Sequence, residues 1–514
     1  MPQFTQGVHS RWLPHIILTA FVAVTRLPLF GPFVGEPDSC RYLTGLYLWL
    51  AGDRANHLIY AKAMSAGYYS LMGTLVRLSH AGVHQYALIT NGVSICSALL
   101  TAPIIFELGR RLTDDRIAFL GSFLFLVSPA VWWMGIQPHP QASSTLLCFL
   151  SLYACWRGLT ENSGIAWRLL SILSMVGALL MKIDAVLLIP AFYGLLLLCP
   201  ESRKRRIVLL WTVTTMLCLV VATFLIVRPL ILSMGIHQTW LETEEPLSFF
   251  LFMPKGLLVV RQALPVVMAL GPATFLFVAI GVVLVTRAPR SGELLRWMIL
   301  IGTWTLVGCG FWFFVAGNVP RHVAVFTLPL IWMGLAGWSQ CFGRHRITFT
   351  LVCILVPIIN FFTVPPNSSN SHLLSPNVPE SALMLRMRGN EIRAIARDVA
   401  NQKRACFIGT YTIPYLRYYL LEETSDSAPS LGEKGRRSWV RTKHYWVTCT
   451  DVQAFSANTR TEGNSRSGYA DEMPWSRIYS VEYRPDGSKI RYFGSEVYVS
   501  RLWMLLTVAA SGSR

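Results

Sequence analysis

Residues 167–200 read WRLLSILSMVGALLMKIDAVLLIPAFYGLLLLCP, and this stretch decides the class of fold. Two apolar runs, 167–181 and 183–200, meet at Met181-Lys182-Ile183-Asp184, where two charges interrupt the hydrocarbon character. A bilayer core of about 30 Å takes roughly 20 residues per helical span. The stretch therefore predicts two short spans joined by a tight charged turn at the membrane surface.

The same alternation extends in both directions. Apolar runs lie near 12–25, 87–109, 117–134, 141–156, 207–227, 264–286, 297–316, 322–340 and 347–364. With the two runs above they predict about eleven spans. Composition agrees: 53% of the 514 residues are hydrophobic and only 14% are charged, against about 25% charged in ordinary soluble chains. The mean hydropathy is +0.45. A soluble surface cannot be built from so few charges, so the chain is read as a multi-pass membrane protein. The first run lacks a small-residue cleavage site and is read as a retained span rather than a signal peptide.

Charge sets the orientation. The net charge of +18, from 45 basic and 27 acidic residues, sits in short clusters between apolar runs, so no nucleic-acid partner is inferred. The clusters are Arg110, Arg111 and Arg116; Arg157 and Arg168; Arg203 to Arg206; Arg287, Arg290 and Arg296; and Arg344 with Arg346. All fall on the side of the N-terminus, which the positive-inside rule makes cytoplasmic. The opposite face receives loop 27–86, the turns at 137–140, 182–184 and 317–322, loop 228–263, and everything after 365.

The expected architecture is an all-α polytopic membrane domain over 1–364, followed by a small extracytoplasmic α/β domain over 365–514. Within loop 27–86, stretches 39–51 and 61–78 are apolar on one side at helical spacing. Arg41, Lys62 and Arg77 fall on the other side, and both stretches are read as helices on the membrane surface. In the tail, helices are expected at 379–402 and near 413–423, and strands at 405–409, 444–450, 476–484 and 489–500. Most of the eleven cysteines lie in apolar runs, with no CxxC pair or zinc spacing. Cys406 and Cys449, both in the tail, are the two that an oxidising compartment would pair.

Chemistry concentrates on the outer face. Asp38, in Gly35-Glu36-Pro37-Asp38-Ser39-Cys40-Arg41-Tyr42, reads either as a helix N-cap or as a general base acting at the membrane surface, with Glu36 a second candidate. Arg41, Lys182, Arg321 beside His322, and His139 in Gln137-Pro138-His139-Pro140 read singly as interfacial anchors whose heads reach the lipid headgroups. Taken together, they read as a site for a phosphate group. The chain has no GxxxxGK[ST] phosphate loop, and no metal-ligand cluster is apparent.

These residues carry a resemblance to the GT-C superfamily of membrane glycosyltransferases, near the bacterial aminoarabinose lipid A transferases and the protein O-mannosyltransferases. Asp38-Ser39-Cys40-Arg41-Tyr42 is similar to their D-E-x-R/H-Y/F motif at the first, fourth and fifth positions. Ser39 departs from the second, acidic position. Gly109-Arg110-Arg111-Leu112 through Ser128-Pro129 resembles their second and third spans. Leu180-Met181-Lys182 through Pro190 resembles their lysine-bearing turn. Pro320-Arg321-His322 through Leu328-Pro329-Leu330 resembles a late span, and the tail resembles their extracytoplasmic domain.

The resemblance implies an inverting glycosyltransferase of the plasma (inner) membrane. Its donor would be a polyprenyl-phosphate sugar and its acceptor a glycolipid, polymer or protein. It implies Asp38 as base, Lys182 and Arg321 on the donor phosphate, and Arg41 and His139 as further phosphate contacts. No cofactor is implied, and metal independence is the expectation, with a divalent metal left open. A transporter or flippase of lipid-linked sugars is the alternative from another class. It would place polar groups near the bilayer midplane on repeated, broken helices. The topology has a direct test: a reporter fused after Arg514 is expected to be active only outside the cytoplasm, and one fused at Lys204 only inside.

Overall fold

The computed structural model describes residues 8–363 apart from 33, 35–36, 53–64, 162–163, 200–264 (bar 210, 213 and 217), 288–291, 315–319 and 343–344, together with residues 418–419 and five strands of the tail. Glu36, Lys62, loop 228–263, most of the run 207–227 and the expected tail helix 379–402 lie outside the described residues.

The chain is mostly helical. In order come α1 (Val8–Arg26), α2 (Pro37–Leu50), α3 (Ala66–Leu78), α4 (Tyr86–Leu112), α5 (Asp115–Val127), α6 (Pro129–Met134), α7 (Pro140–Thr160), α8 (Gly164–Met181) and α9 (Ile189–Leu198). Then follow α10 (Pro272–Arg287), α11 (Glu293–Leu300), α12 (Val307–Phe314), α13 (Pro320–Val323), α14 (Leu328–Cys341) and α15 (Arg346–Thr363). Among the described residues, three helical stretches are long and apolar enough to cross a membrane: Trp12–Leu29, Val83–Leu112 and Pro320–Cys341. Ile165–Met181, Asp184–Leu198, Pro272–Arg287 and Arg346–Asn360 are shorter apolar helices.

Proline explains where the helices depart from the sequence runs. The run 117–134 is two helices, because Pro129 cannot donate a backbone hydrogen bond and begins α6 as its first residue. The run 183–200 starts with one irregular segment, a 3-10 helix over Ile183–Leu188, before α9. A π-helical stretch, Ile301–Leu306, joins α11 to α12. The two loop helices expected at 39–51 and 61–78 are found at Pro37–Leu50 and Ala66–Leu78, with 61–64 outside the described residues.

One large apolar core joins the long helices, with Trp304 and Trp332 wholly buried. A separate aromatic core forms beneath the loop helices. Tyr42, Leu43 and Leu46 of α2 meet Tyr68, Tyr69, Met72 and Val76 of α3, the spacing of one helical face. Tyr418 and Tyr419 from the tail are fully buried in this same core, and the Tyr418 hydroxyl donates to the Val83 carbonyl at 3.2 Å.

The C-terminal end of α5 is held by a buried cation. Arg26, the wholly buried last residue of α1, donates to the Leu126 carbonyl at 2.9 Å, and a cation at a helix C-terminus is favourably placed.

The tail strands are β1 (Ala405–Gly409), β2 (Trp439–Arg441), β3 (Trp446–Cys449), β4 (Arg477–Tyr483) and β5 (Ile490–Gly494). They form one sheet in the order β2-β3-β1-β4-β5, antiparallel except for the β1–β4 pair. Four strands lie where the sequence expects them, and β2 is additional. The register sets Cys406 directly opposite Cys449. Opposed residues of antiparallel strands stand about 4.5–5.5 Å apart at Cα, within the range a disulfide spans.

α14, which continues from the helix bearing Arg321, crosses α10 with backbone against backbone. A Cβ on Gly281 would strike the Gly334 carbonyl, and one on Gly337 would strike the Gly281 carbonyl. Small residues permit such approaches between membrane helices. Gly337→Val is therefore expected to destabilise the protein by about 1–3 kcal/mol or more through overpacking, seen as a lower thermal unfolding temperature in detergent. Gly302→Ala, whose added Cβ meets nothing within 4 Å, is the control and should leave that temperature unchanged.

Candidate functional site

Three separate segments bring their charged side chains to one place. Pro37 opens α2 and leaves Asp38 as its second residue, with Arg41 one turn on. This is not the N-cap position of the simpler sequence reading. Asp38 Oδ1 receives Arg41 Nη1 at 3.3 Å, and Asp38 Oδ2 receives Arg321 Nη2 at 2.6 Å. Arg321 arrives from the one-turn helix α13, 283 residues along the chain, and is 7% exposed. Both carboxylate oxygens thus face guanidinium groups.

The second centre lies on the turn after α8. Lys182 has extended backbone angles, which end α8 and start the 3-10 segment. Its ammonium reaches Asp184 Oδ2 at 2.6 Å and also donates to Gln141 Oε1 of α7. The same Asp184 oxygen lies 3.2 Å from His322 Nδ1. Arg321 and His322, adjacent in sequence, are therefore tied to different carboxylates, one on α2 and one on the Lys182 turn.

His139 also has a structural part. Its Nδ1 accepts from the Gln141 backbone N–H at 3.1 Å and caps α7. With Nδ1 as acceptor, a neutral ring carries its proton on Nε2. The ring packs edge-on against Tyr42 at 4.8 Å between centroids. Tyr42 links this wall to Asp38: burial first, and then the Asp38 charge, push its phenol well above the ordinary tyrosine range. Tyr42 therefore remains a neutral hydrogen-bond donor.

Of the residues picked out by sequence, Asp38, Arg41, Lys182 and Arg321 converge, and His139 stands at the edge as a helix cap. Glu36 lies outside the described residues. His322, read beside Arg321 in the basic group, also converges, and Asp184, Gln141 and Tyr42 join the site without having been assigned a role. For Asp184 the signal was its place two residues after Lys182. For Tyr42 it was the fifth position of the motif beginning at Asp38. Gln141 gave none. Among the described residues, no group of three or more His, Cys, Asp or Glu side chains is placed to hold a metal ion.

The cluster can bind an anion with two or three cations while keeping a carboxylate beside it. Fixed charges in a water-poor site stabilise developing negative charge without reorganisation. They suit a reaction that expels a phosphate.

No curated protein matches the chain. The chain is similar to crystal structures of ArnT from Cupriavidus metallidurans. In the apo state the identity is 14%, with 87% of this chain and 99% of that one covered at a TM-score of 0.47. Bound to undecaprenyl phosphate, the values are 15%, 86%, 98% and 0.48. It is also similar to the Archaeoglobus fulgidus oligosaccharyltransferase in complex with zinc and sulfate, at 10% identity, covering 82% of this chain and 59% of that one, with a TM-score of 0.43. Likenesses this weak do not carry a function from one chain to another. The sequence match is more specific: it takes in His139 and the Lys182 turn and leaves out Asp38 and Arg321. Over residues 77–227 the chain matches the dolichyl-phosphate-mannose-protein mannosyltransferase family, a family of glycosyltransferases, and the GT-C resemblance read from its motifs stands.

Proposed function

We propose that the protein transfers a sugar from a polyprenyl-phosphate donor to a lipid, polymer or protein acceptor at the outer face of the plasma membrane, with inversion at the anomeric carbon. The observation that carries this reading is the pair of carboxylate–cation centres, Asp38 with Arg321 and Asp184 with Lys182, held side by side by Arg321 and His322. The description of the matched family names a phosphate-linked sugar of a long-chain prenol as donor, in keeping with such a centre.

The acceptor oxygen or nitrogen attacks the anomeric carbon. The bond from that carbon to the phosphate oxygen breaks, its electron pair leaves with the phosphate, and the acceptor proton passes to Asp38. Lys182 and Arg321 stabilise the departing phosphate, with Arg41 and His139 at its margin. Charge stabilisation takes the place of a general acid, so no second catalytic carboxylate is needed of the kind a glycosidase uses. The ion pairs also connect the two halves of the reaction. A carboxylate flanked by two guanidiniums is a weak base; a donor phosphate that draws Arg321 toward itself restores basicity to Asp38.

Among the described residues, the charges of the site gather at helix ends and not along the middle of paired broken helices, which supports a transferase over a transporter. Incubation of the protein in lipid with radiolabelled polyprenyl-phosphate sugars and membrane extracts is expected to label an acceptor. Labelled donor that crosses a vesicle membrane unchanged, with no acceptor labelled, would establish the transporter.

Two substitutions test the roles. Asp38→Asn retains the shape of the side chain and should lower transfer by about 100- to 10,000-fold, the usual worth of a positioned general base. Arg321 loses its charged partner in this variant, so thermal stability should fall as well, and transfer is compared below the unfolding temperature of the variant. Glu36→Gln is the companion variant, and greater loss there would move the base to Glu36. Lys182→Ala should weaken donor use by roughly 10- to 150-fold, the equivalent of about 1.5–3 kcal/mol for a charge-assisted hydrogen bond. Donor affinity left intact in both Lys182→Ala and Arg321→Ala would remove the phosphate site.

A further inference from the structure

We infer that Asp184 is a positioning residue of the donor-phosphate site: it fixes the Lys182 ammonium against the His322 ring and keeps that ammonium charged. The inference rests on the donor-site reading above and assigns a role to a residue that neither the motifs nor the family match singles out.

The geometry is compact. One oxygen of Asp184 serves both cation-capable groups, at 2.6 Å from Lys182 Nζ and 3.2 Å from His322 Nδ1. The three side chains are 9%, 15% and 11% exposed for Lys182, Asp184 and His322. An ammonium withdrawn from water loses hydration, which favours its neutral form. A neutral amine would hold phosphate far less strongly than an ammonium.

The surroundings make this pressure specific. α2 brings Asp38, Arg41 and Tyr42 to the site, α7 brings His139, and α13 brings Arg321 and His322. Arg321 is a permanent cation, it is paired with Asp38 at 2.6 Å, and its charge acts against a second cation nearby. Asp184 opposes both effects, because it stands two residues from Lys182 in the same turn and touches its ammonium. A carboxylate that served only to start the 3-10 segment would have no reason to bridge to His322 on another helix.

The two cases differ in their response to pH. With Asp184 replaced by Asn, Lys182 gives up its proton as pH rises, so donor affinity should fall toward alkaline pH and recover toward acid. A purely structural loss would be the same at every pH. The measurement is binding of a sugar-free polyprenyl phosphate to the full-length protein in lipid nanodiscs, from about pH 6 to about pH 9. The wild type in the same series corrects for ionisation of the phosphate itself.

The Asp184→Asn protein is expected to bind about tenfold or more weakly than wild type at the alkaline end, and within about twofold at the acid end. Asp184→Glu, which retains the charge, should bind within a few-fold throughout, and thermal unfolding reports whether each variant is folded. Equal affinity for Asp184→Asn and wild type, or a deficit that does not change with pH, overturns the role of Asp184. Lys182→Ala separates that failure from failure of the site: if Lys182→Ala binds polyprenyl phosphate as wild type does, the donor site is misplaced. If Lys182→Ala loses binding while Asp184→Asn does not, only the positioning role falls.

Discussion

The arrangement turns on a single dipeptide. Arg321 and His322 lie on the first turn of the helical stretch Pro320–Cys341, and each reaches a carboxylate on a different part of the chain. Arg321 ties α13 to Asp38 of the loop helices; His322 ties it to Asp184 of the turn between α8 and α9. Buried charges tolerate removal from water only when paired with good geometry, so these pairs fix how the loop helices sit against the bundle. The close crossing of α10 and α14 supports the same dipeptide from the other side, since α14 continues the segment that begins at Pro320.

The helical bundle was legible because hydrophobic run length is a strong, local signal. Its interruptions were less so. Ser128-Pro129 was visible in the sequence, yet the run 117–134 reads as continuous apolar character, and only the missing proline N–H ends α5 there. The loop helices were readable from periodicity. Their partners were not, since Tyr418 and Tyr419 come from more than 300 residues away and no spacing rule connects them to Val83.

The site divides in the same way. Asp38, Arg41, Lys182 and Arg321 were found because each is a charged residue at the edge of an apolar run, where charge is conspicuous. Asp184 was conspicuous too, but its function depends on His322, and pairing across 138 positions leaves no trace in a single sequence. His139 carries a structural role that its neighbours in the sequence do not announce. A histidine between two prolines at a span edge looks like a phosphate ligand, while its Nδ1 is engaged in capping α7. Gln141 is an ordinary polar residue on a helix, and it gains meaning only from the lysine that reaches it.

The 283-residue separation between Asp38 and Arg321 also bears on biogenesis. The loop helices emerge early from the ribosome, with Asp38 and Arg41 already in place, and must wait through the synthesis of most of the bundle before α13 is made. The Lys182–Asp184 turn emerges between them, and its bridge to His322 is likewise closed late. The charged centre therefore forms only once the late helices have packed. A chain stopped before Pro320 holds its acidic residues without the dipeptide that organises them. Completion of the charged centre and completion of the membrane bundle are in this way the same event.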